Sequence, residues 1–222
     1  MEEYRDIIMS SPLTAGLNNS DWGFIKDFYH LEAVRYSKNE FLNTLYEPLP
    51  QFGLVISGTI QVCRDDYYGN KNIMANVTPG NYFGESLFLT QYATNVYIIA
   101  VKESKVIWFR PERLDISVDC PEKRAYILLR NLTHMLAKHA LALNDRIQAL
   151  TKPTLREKLI AFFSEYAKDG EREFTVPFDR ENMAVYLGVN RSALSRELSK
   201  MKADGLITYR KNKFTITAEN NN

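Results

Sequence analysis

The sequence has few of the residues that build redox, disulfide or metal sites. Its 222 residues include two cysteines, Cys63 and Cys120. Two thiols far apart in sequence make neither a disulfide framework nor a cluster held by four thiolates. Because free cysteines are commonly buried, we interpret both as partly buried thiols, with an inter-subunit or redox-sensing role as the alternative. We therefore expect no metal and no cofactor.

Long apolar runs are also lacking. No stretch approaches the ~18 residues that a membrane-spanning helix needs. The start of the chain, Met-Glu-Glu-Tyr-Arg-Asp, lacks the basic beginning and apolar core of a signal peptide. With 45% hydrophobic and 25% charged residues, the composition is that of a soluble globular protein. We expect a cytoplasmic protein with no membrane partner.

Neither sign of charge is in excess, since the formal net charge is +1. The distribution is uneven, however: residues 151–222 hold 13 Lys and Arg against 10 Asp and Glu, whereas residues 1–150 hold 15 against 17. A more basic C-terminal third suits a polyanionic partner, and the placement of the charges has to support that interpretation.

Short apolar runs separated by turns occupy residues 36–109. The clearest runs are Phe52-Gly-Leu-Val-Ile, Thr59-Ile-Gln-Val-Cys-Arg, Ile73-Met-Ala-Asn-Val, Asn95-Val-Tyr-Ile-Ile-Ala-Val and Lys105-Val-Ile-Trp-Phe. Many short strands with Gly and Pro between them predict an antiparallel sandwich or small barrel.

A long helix is predicted from Glu122 to Leu150, where Gly and Pro are absent. Its apolar residues form two stripes, of which one would pack on the barrel and the other on a second copy of the helix. The alternative is one broad stripe buried within a monomer. The first stripe has heptad spacing and consists of Leu129, Leu132, Leu136, His139, Leu143, Arg146 and Leu150. The second runs through Tyr126, Met135, Leu141 and Ala142.

The segment Lys152-Pro153-Thr154 breaks the helical pattern and is predicted to be the hinge between domains. Thr154 can cap a further helix from Leu155 to Ala167, which Asp169-Gly170 would end. The fold class is therefore α+β, with a β domain over residues 1–121, a long helix over 122–150 and a C-terminal domain over 151–222.

Two short helices joined by a tight turn are predicted between residues 180 and 203. Asp179 caps the first, Gly188 supplies the left-handed residue of the turn, and Asn190 caps the second. This is a helix-turn-helix, whose second helix enters the DNA major groove. A purely structural helical hairpin is the alternative.

The second helix would bury an apolar face and expose polar side chains to DNA. Arginine there can make a bidentate contact to guanine, and serine permits close approach to bases or phosphates. The following hairpin, Leu206 to Thr217, carries basic residues at its tip that can contact phosphates. The predicted DNA-binding residues are Asn190, Arg191, Ser192, Ser195, Arg196, Ser199, Lys200, Arg210, Lys211 and Lys213.

Residues 20–217 resemble the cyclic-AMP receptor and fumarate–nitrate regulator family of bacterial transcription factors. The resemblance rests on Leu54-Val-Ile-Ser-Gly-Thr-Ile-Gln-Val, on Pro79-Gly-Asn-Tyr-Phe-Gly-Glu, on the long helix and on Ser195-Arg196 within the helix-turn-helix. It implies an N-terminal β-roll like that of cyclic-nucleotide-binding domains, a dimerisation helix and a C-terminal winged helix-turn-helix. It also implies a homodimer, a palindromic double-stranded DNA operator, RNA polymerase and a small-molecule effector as partners.

The sequence departs from the family where members hold cyclic AMP. Gly84 and Glu85 match the Gly-Glu pair, but the following Arg-Ser falls on about Thr94-Asn95, so the cation for the cyclic phosphate is missing. The adenine-facing Thr-Ser falls on Leu141 and Ala142, which are apolar. A cyclic nucleotide is therefore not expected, and Glu85 is interpreted as capping a turn or bonding strand backbone.

An effector pocket of different chemistry is the hypothesis for the roll. It would be lined by Leu141 and Ala142, with Gly84, Glu85, Asn95 and Tyr97 contributing, and a small organic molecule, for example an aromatic one, would suit it. An empty roll with constitutive DNA binding and a ligand-binding module without a DNA role are the alternatives.

Metal-dependent variants of this fold are not expected. The three histidines, His30, His134 and His139, lie outside the roll, and the last two are interpreted as helix-surface or interface residues. A haem axial ligand and the clustered His/Glu site of a catalytic cupin are both missing, so no catalytic residue is predicted.

Overall fold

The computed structural model describes residues 1–93, 95–111, 123–167 and 171–217. Thr94, Cys120, Glu122 and the helix end at Asp169-Gly170, all invoked above, lie outside these ranges. The helices are α1 (Arg5–Met9), α2 (Trp22–Tyr29), α3 (Glu85–Thr90), α4 (Lys123–Leu150), α5 (Leu155–Tyr166), α6 (Arg180–Tyr186) and α7 (Arg191–Ala203). The strands are β1 (Glu32–Tyr36), β2 (Phe52–Ser57), β3 (Ile60–Asp65), β4 (Lys71–Val77), β5 (Tyr82–Phe83), β6 (Val96–Ala100), β7 (Ser104–Phe109), β8 (Glu173–Thr175), β9 (Ile207–Arg210) and β10 (Lys213–Ile216).

The chain divides into two compact units. The first comprises Met1–Gly69 and Met74–Ala140, and the second comprises Asn70–Ile73 and Leu141–Asn222. The division falls within α4. The boundaries predicted above, at residues 121/122 and 150/151, remain predictions.

The N-terminal unit is a β-roll of antiparallel sheets. One sheet has the order β1-β7-β2-β5 and the other the order β4-β3-β6. Between them, Val55, Ile60, Ile98, Val106 and Trp108 are almost completely buried. The strands are short, their apolar residues point inward, and turns connect them. The sandwich or barrel predicted from the sequence is therefore confirmed.

β1 and α3 are among the elements of the roll that the sequence did not predict. β1 begins at Glu32, ahead of the expected start near Tyr36, and pairs with β7 from Glu32–Trp108 to Tyr36–Ser104. α3 begins at Glu85, directly after Gly84, whose φ of +81° turns the chain out of β5. The positive φ favours glycine here, and a Cβ at Gly84 would lie 2.7 Å from Cδ2 of Leu49, so a larger residue would also require the Leu49 side chain to shift.

The first half of α4 packs on a second core in the same unit. Ala125, Leu128, Leu132 and Met135 are buried there and follow each other at helical spacing. Asn131 on the same face donates Nδ2 hydrogen bonds of 2.8 Å to the carbonyls of Leu13 and Ala15. Such spacing gives one apolar stripe along a helix.

The heptad register predicted for α4 is wrong at every second position. Leu132 is buried in the core, His139 contacts Glu85, and Arg146 contacts Tyr186, so these three face the chain itself. The face left exposed or half-buried has the same 3-4 spacing, rotated about the helix, and we name it the α4 seam. It consists of Tyr126, Leu129, Thr133, Leu136, Ala140, Leu143, Ile147 and Leu150.

The C-terminal unit has a small aromatic core of its own. Leu159, Phe162 and Phe163 of α5 pack against the sheet β8-β10-β9 and against α6 and α7. Thr154 and Glu157 form a reciprocal capping box at the start of α5, which confirms the predicted cap. None of the described helices is long and apolar enough to cross a membrane.

Leu128, which the sequence pattern did not place in either stripe, is expected to be essential for stability. It is fully buried, so Leu128→Ala should lower the free energy of unfolding by about 2–5 kcal/mol through lost burial and a residual cavity. Urea denaturation measures this loss. Lys138→Ala, on the exposed side of the same helix, is the matched control and should change stability by less than about 0.5 kcal/mol. Equal effects of the two substitutions would contradict the packing described.

Candidate DNA interface and effector site

The helix-turn-helix forms as its capping residues predict. Asp179 accepts a hydrogen bond of 2.8 Å from the backbone N–H of Asn182 at the start of α6. Asn190 does the same for Ser192 at the start of α7, again at 2.8 Å. Between the helices Gly188 has φ +63°, the left-handed conformation that the tight turn requires.

Burial on one side of α7 determines which side chains face outward. Leu194, Leu198 and Met201 are at most 1% exposed. The polar residues predicted to read DNA are all on the exposed face, namely Arg191, Ser192, Ser195, Arg196, Ser199 and Lys200. Their exposure is confirmed, and their contact with DNA remains a prediction.

The arginines of this face are available to a ligand. Arg191 Nη1 lies 3.7 Å from Oε2 of Glu181, and both side chains are mostly exposed, so this pair is weak. Arg196 is exposed and makes no hydrogen bond or ion pair with the described residues. A guanidinium with unused donors can form the bidentate contact that guanine offers in the major groove.

Arg156, which the sequence pattern did not single out, ties α5 to α7. Its Nε donates to Oε1 of Glu197 and its Nη2 to Oδ2 of Asp204, both at 2.7 Å. The two carboxylates raise the pKa of Arg156 above its ordinary value through these bonds. The bonds therefore resist rotation or sliding of α7 against α5. Glu197 lies on α7, and Asp204 caps the end of that helix seven residues later. This spacing of two carboxylates is the feature of the sequence that could have indicated a shared cation.

The hairpin after α7 presents the predicted basic tip. Arg210, Lys211 and Lys213 are exposed around the turn, and Lys211 has a φ of +56°. Behind them the Arg180 guanidinium carbon lies 4.8 Å from the ring centre of Tyr209 and 4.9 Å from that of Phe214. These cation–π contacts fix the hairpin on the start of α6.

Glu85, interpreted from the sequence as capping a turn or bonding strand backbone, contacts a side chain of α4 instead. It is 2% exposed, and its Oε1 lies 2.6 Å from Nδ1 of His139 on α4. The interaction with the Glu85 carboxylate at hydrogen-bond distance, together with its negative charge, raises the pKa of His139 above its ordinary value. A carboxylate taken from water needs such a partner.

His139 therefore has a role that the sequence pattern did not reveal. It lies four residues after Met135 and seven after Leu132, on the side of α4 that faces the roll. Once that buried stripe is known, helical spacing is the signal that identifies His139 as facing inward.

The remaining predicted effector residues differ in their exposure and in their partners. Tyr97 is 9% exposed, and its hydroxyl donates to Oδ1 of Asp65 at 2.8 Å. Asn95 is half-buried, whereas Leu141 is 64% exposed and Ala142 is also exposed. Their part in effector binding stays a prediction.

A cleft of about 690 Å³ lies elsewhere, between the end of α4 and α5 in the C-terminal unit. Its lining includes Asp145, Lys152, Glu157, Ile160 and Glu165. Burial and the nearby Asp145 raise the pKa of Glu165. Among the described residues, no group of three or more His, Cys, Asp or Glu side chains is arranged to hold a metal ion.

Two family models match this chain, and they match its two units. The cyclic nucleotide-binding domain matches residues 33–115, which contain the roll. The Crp-like helix-turn-helix domain matches residues 157–220. A comparison with curated proteins found no match.

Solved structures with the same fold include regulators from several bacteria. FixK2 from Bradyrhizobium japonicum is 21% identical, with a TM-score of 0.67 over 85% of this chain and 93% of that one. The c-di-GMP responsive regulator CLP from Xanthomonas campestris is 19% identical, with a TM-score of 0.64 over 86% and 95%. TTHA1359, a regulator from Thermus thermophilus, is 19% identical, with a TM-score of 0.60 over 84% and 94%.

At these sequence identities the similarity to solved structures establishes only the fold. The two domain models identify which kinds of domain the fold contains. A cyclic nucleotide-binding domain, a long helix and a Crp-like helix-turn-helix follow one another in the order that the sequence predicts. The chain belongs to the cyclic-AMP receptor and fumarate–nitrate regulator family of DNA-binding transcription regulators.

Proposed function

We propose that this protein is a homodimeric regulator that binds a palindromic DNA operator through α7 of each subunit. The observation that carries the proposal is the exposed face of α7, where Arg191 and Arg196 have donors available for bases. Arg210, Lys211 and Lys213 of the hairpin would contact phosphates, which adds affinity without sequence choice. Selection of bound sequences from random DNA tests this function directly.

The second copy is proposed to bind along the α4 seam. On this face Tyr126 is 61%, Leu143 55% and Ile147 58% exposed in the single chain. A stripe of large apolar side chains at heptad spacing is costly in water and is buried when two such helices pair. Because the copies would be related by twofold symmetry, their operator half-sites would lie ~34 Å apart, or one DNA turn.

The effector of the roll is proposed to be a small organic molecule other than a cyclic nucleotide. Glu85, which corresponds to the carboxylate of the cyclic-AMP site, is engaged by His139. Leu141 and Ala142 offer no hydroxyl for an adenine, and the Arg-Ser pair is missing from the sequence. An effector that changes the contacts of α4 would shift the population of DNA-binding geometries.

Constitutive DNA binding is the second candidate, because Glu85 and Tyr97 are both paired with the chain's own residues. Repeating the DNA selection with and without a metabolite extract separates the two candidates. We also propose RNA polymerase as a partner, from the family alone. The two proteins would bind each other in the bacterial cytoplasm.

Arg196→Ala should cost about 1–3 kcal/mol of binding free energy on the selected operator and much less on random DNA, because it removes base contacts. Lys211→Ala should weaken both DNAs alike and reduce the dependence of log K on log salt by about one. Titrations at several salt concentrations measure both effects. Arg196→Lys keeps the positive charge but loses the paired N–H donors of the guanidinium, so its loss of operator affinity should resemble that of Arg196→Ala. If Arg196→Ala weakens operator and random DNA equally, Arg196 does not read bases.

Ile147→Asn should weaken dimerisation about tenfold or more, since an apolar side chain of each copy would lose its burial. Sedimentation equilibrium measures the dimer constant. Lys138→Asn is the matched control, because Lys138 is exposed on the same helix away from the α4 seam. A wild-type monomer, or an unchanged dimer constant for Ile147→Asn, would exclude the seam as the interface.

The contact between Glu85 and His139 should make stability depend on pH. The pKa of His139 is raised above its ordinary value of 6.5 when the chain folds. The stabilisation is therefore complete below 6.5 and is lost as the pH rises through the folded pKa of His139. Urea midpoints of wild type and His139→Gln, measured between about pH 6 and pH 9, should converge as the pH rises. The exposed His134 on the same helix supplies the control, His134→Gln, and a gap that widens with pH would refute the pairing.

A further inference from the structure

The hydroxyl of Ser192 has a fixed hydrogen-bond polarity. Its Oγ lies 2.7 Å from the Oδ1 atom of Asn190, and the backbone N–H of Ser192 lies 2.8 Å from that same atom. A backbone N–H can only donate, so the amide atom must be the oxygen, which only accepts. The Ser192 hydroxyl is therefore obliged to donate its single proton to Asn190.

A hydroxyl whose proton is committed has only lone pairs left for another molecule. Ser192 is exposed at the second position of α7, in the turn from which recognition helices contact base edges. Arg191 and Arg196, beside it, offer donors only. Ser192 thus adds an acceptor to a face otherwise supplied with guanidinium donors.

In the major groove this polarity separates the bases into two classes. Adenine N6 and cytosine N4 are amino donors, whereas guanine O6 and thymine O4 are acceptors. We propose that Ser192, held by Asn190, selects adenine or cytosine over guanine or thymine at the base that it faces. The proposal rests on the proposed function, since it concerns the operator that α7 reads.

The same local geometry occurs at a second place among the described residues, and it supplies a control. Asn18 Oδ1 accepts from the backbone N–H of Ser20 at 2.8 Å and from its hydroxyl at 2.5 Å. That arrangement caps a short turn in the roll unit, far from α7 in sequence. Helix capping is therefore sufficient to explain the geometry at Asn190. The difference lies in the position of Ser192 on α7, where its lone pairs can accept a hydrogen bond from a base.

The test is selection of bound sequences from random duplex DNA with the full chain and three variants. Ser192→Ala removes the hydroxyl but keeps the backbone N–H that caps α7, Ser192→Thr keeps a hydroxyl, and Ser20→Ala removes the equivalent group in the roll. Wild type, Ser192→Thr and Ser20→Ala should favour adenine or cytosine about three- to tenfold at one position of the half-site, as one hydrogen bond allows. Ser192→Ala should lose the preference at that position alone.

A second measurement isolates the amino group. At that position, purine in place of adenine, or 2-pyrimidinone in place of cytosine, should weaken wild-type binding by the same factor and leave the affinity of Ser192→Ala unchanged. The inference is overturned if Ser192→Ala keeps the preference, if the position favours guanine or thymine, or if the analogues weaken both proteins equally. If wild type enriches no sequence at all, the proposed function falls and this inference with it.

Discussion

The side chains of α7 that are proposed to contact DNA depend on the burial of three residues of the same helix. Leu194, Leu198 and Met201 lie in the aromatic core of the C-terminal unit and fix the rotation of the helix about its axis. Since an α-helix turns 100° per residue, that rotation also decides which positions point away from the core. Arg156 adds a constraint along the axis through its two carboxylate partners. The exposed face of α7 that is proposed to read DNA is thus a consequence of core packing.

The long helix α4 has two apolar faces, so it needs two packing partners. One is buried against the roll unit through residues such as Leu128 and Met135, and the α4 seam is left exposed. A helix with a single partner would have no need of the second stripe. The proposed dimer follows from this excess, and twofold symmetry of the dimer would in turn suit a palindromic operator.

The chemistry around the start of α3 in the roll unit depends on Gly84, Glu85 and His139. Gly84 has the positive φ that favours glycine, and Glu85 follows it as the first residue of α3. The carboxylate is buried, so it needs a partner, and His139 of α4 provides a titratable one. A site built on this pair differs in charge from one that also holds an arginine for a phosphate. That difference is the basis for proposing an effector other than a cyclic nucleotide.

The sequence alone determined the helix-turn-helix, because caps, turn glycine and apolar spacing are local. Asp179, Gly188 and Asn190 act within a few residues of themselves, and the exposed face of α7 follows from its buried one. The register of α4 and the partner of Glu85 were decided only by the tertiary structure. Two apolar stripes with similar spacing cannot be distinguished in a sequence, because only packing in the folded chain decides which of them is buried. The Glu85–His139 contact joins residues 54 positions apart, so no local pattern indicates it.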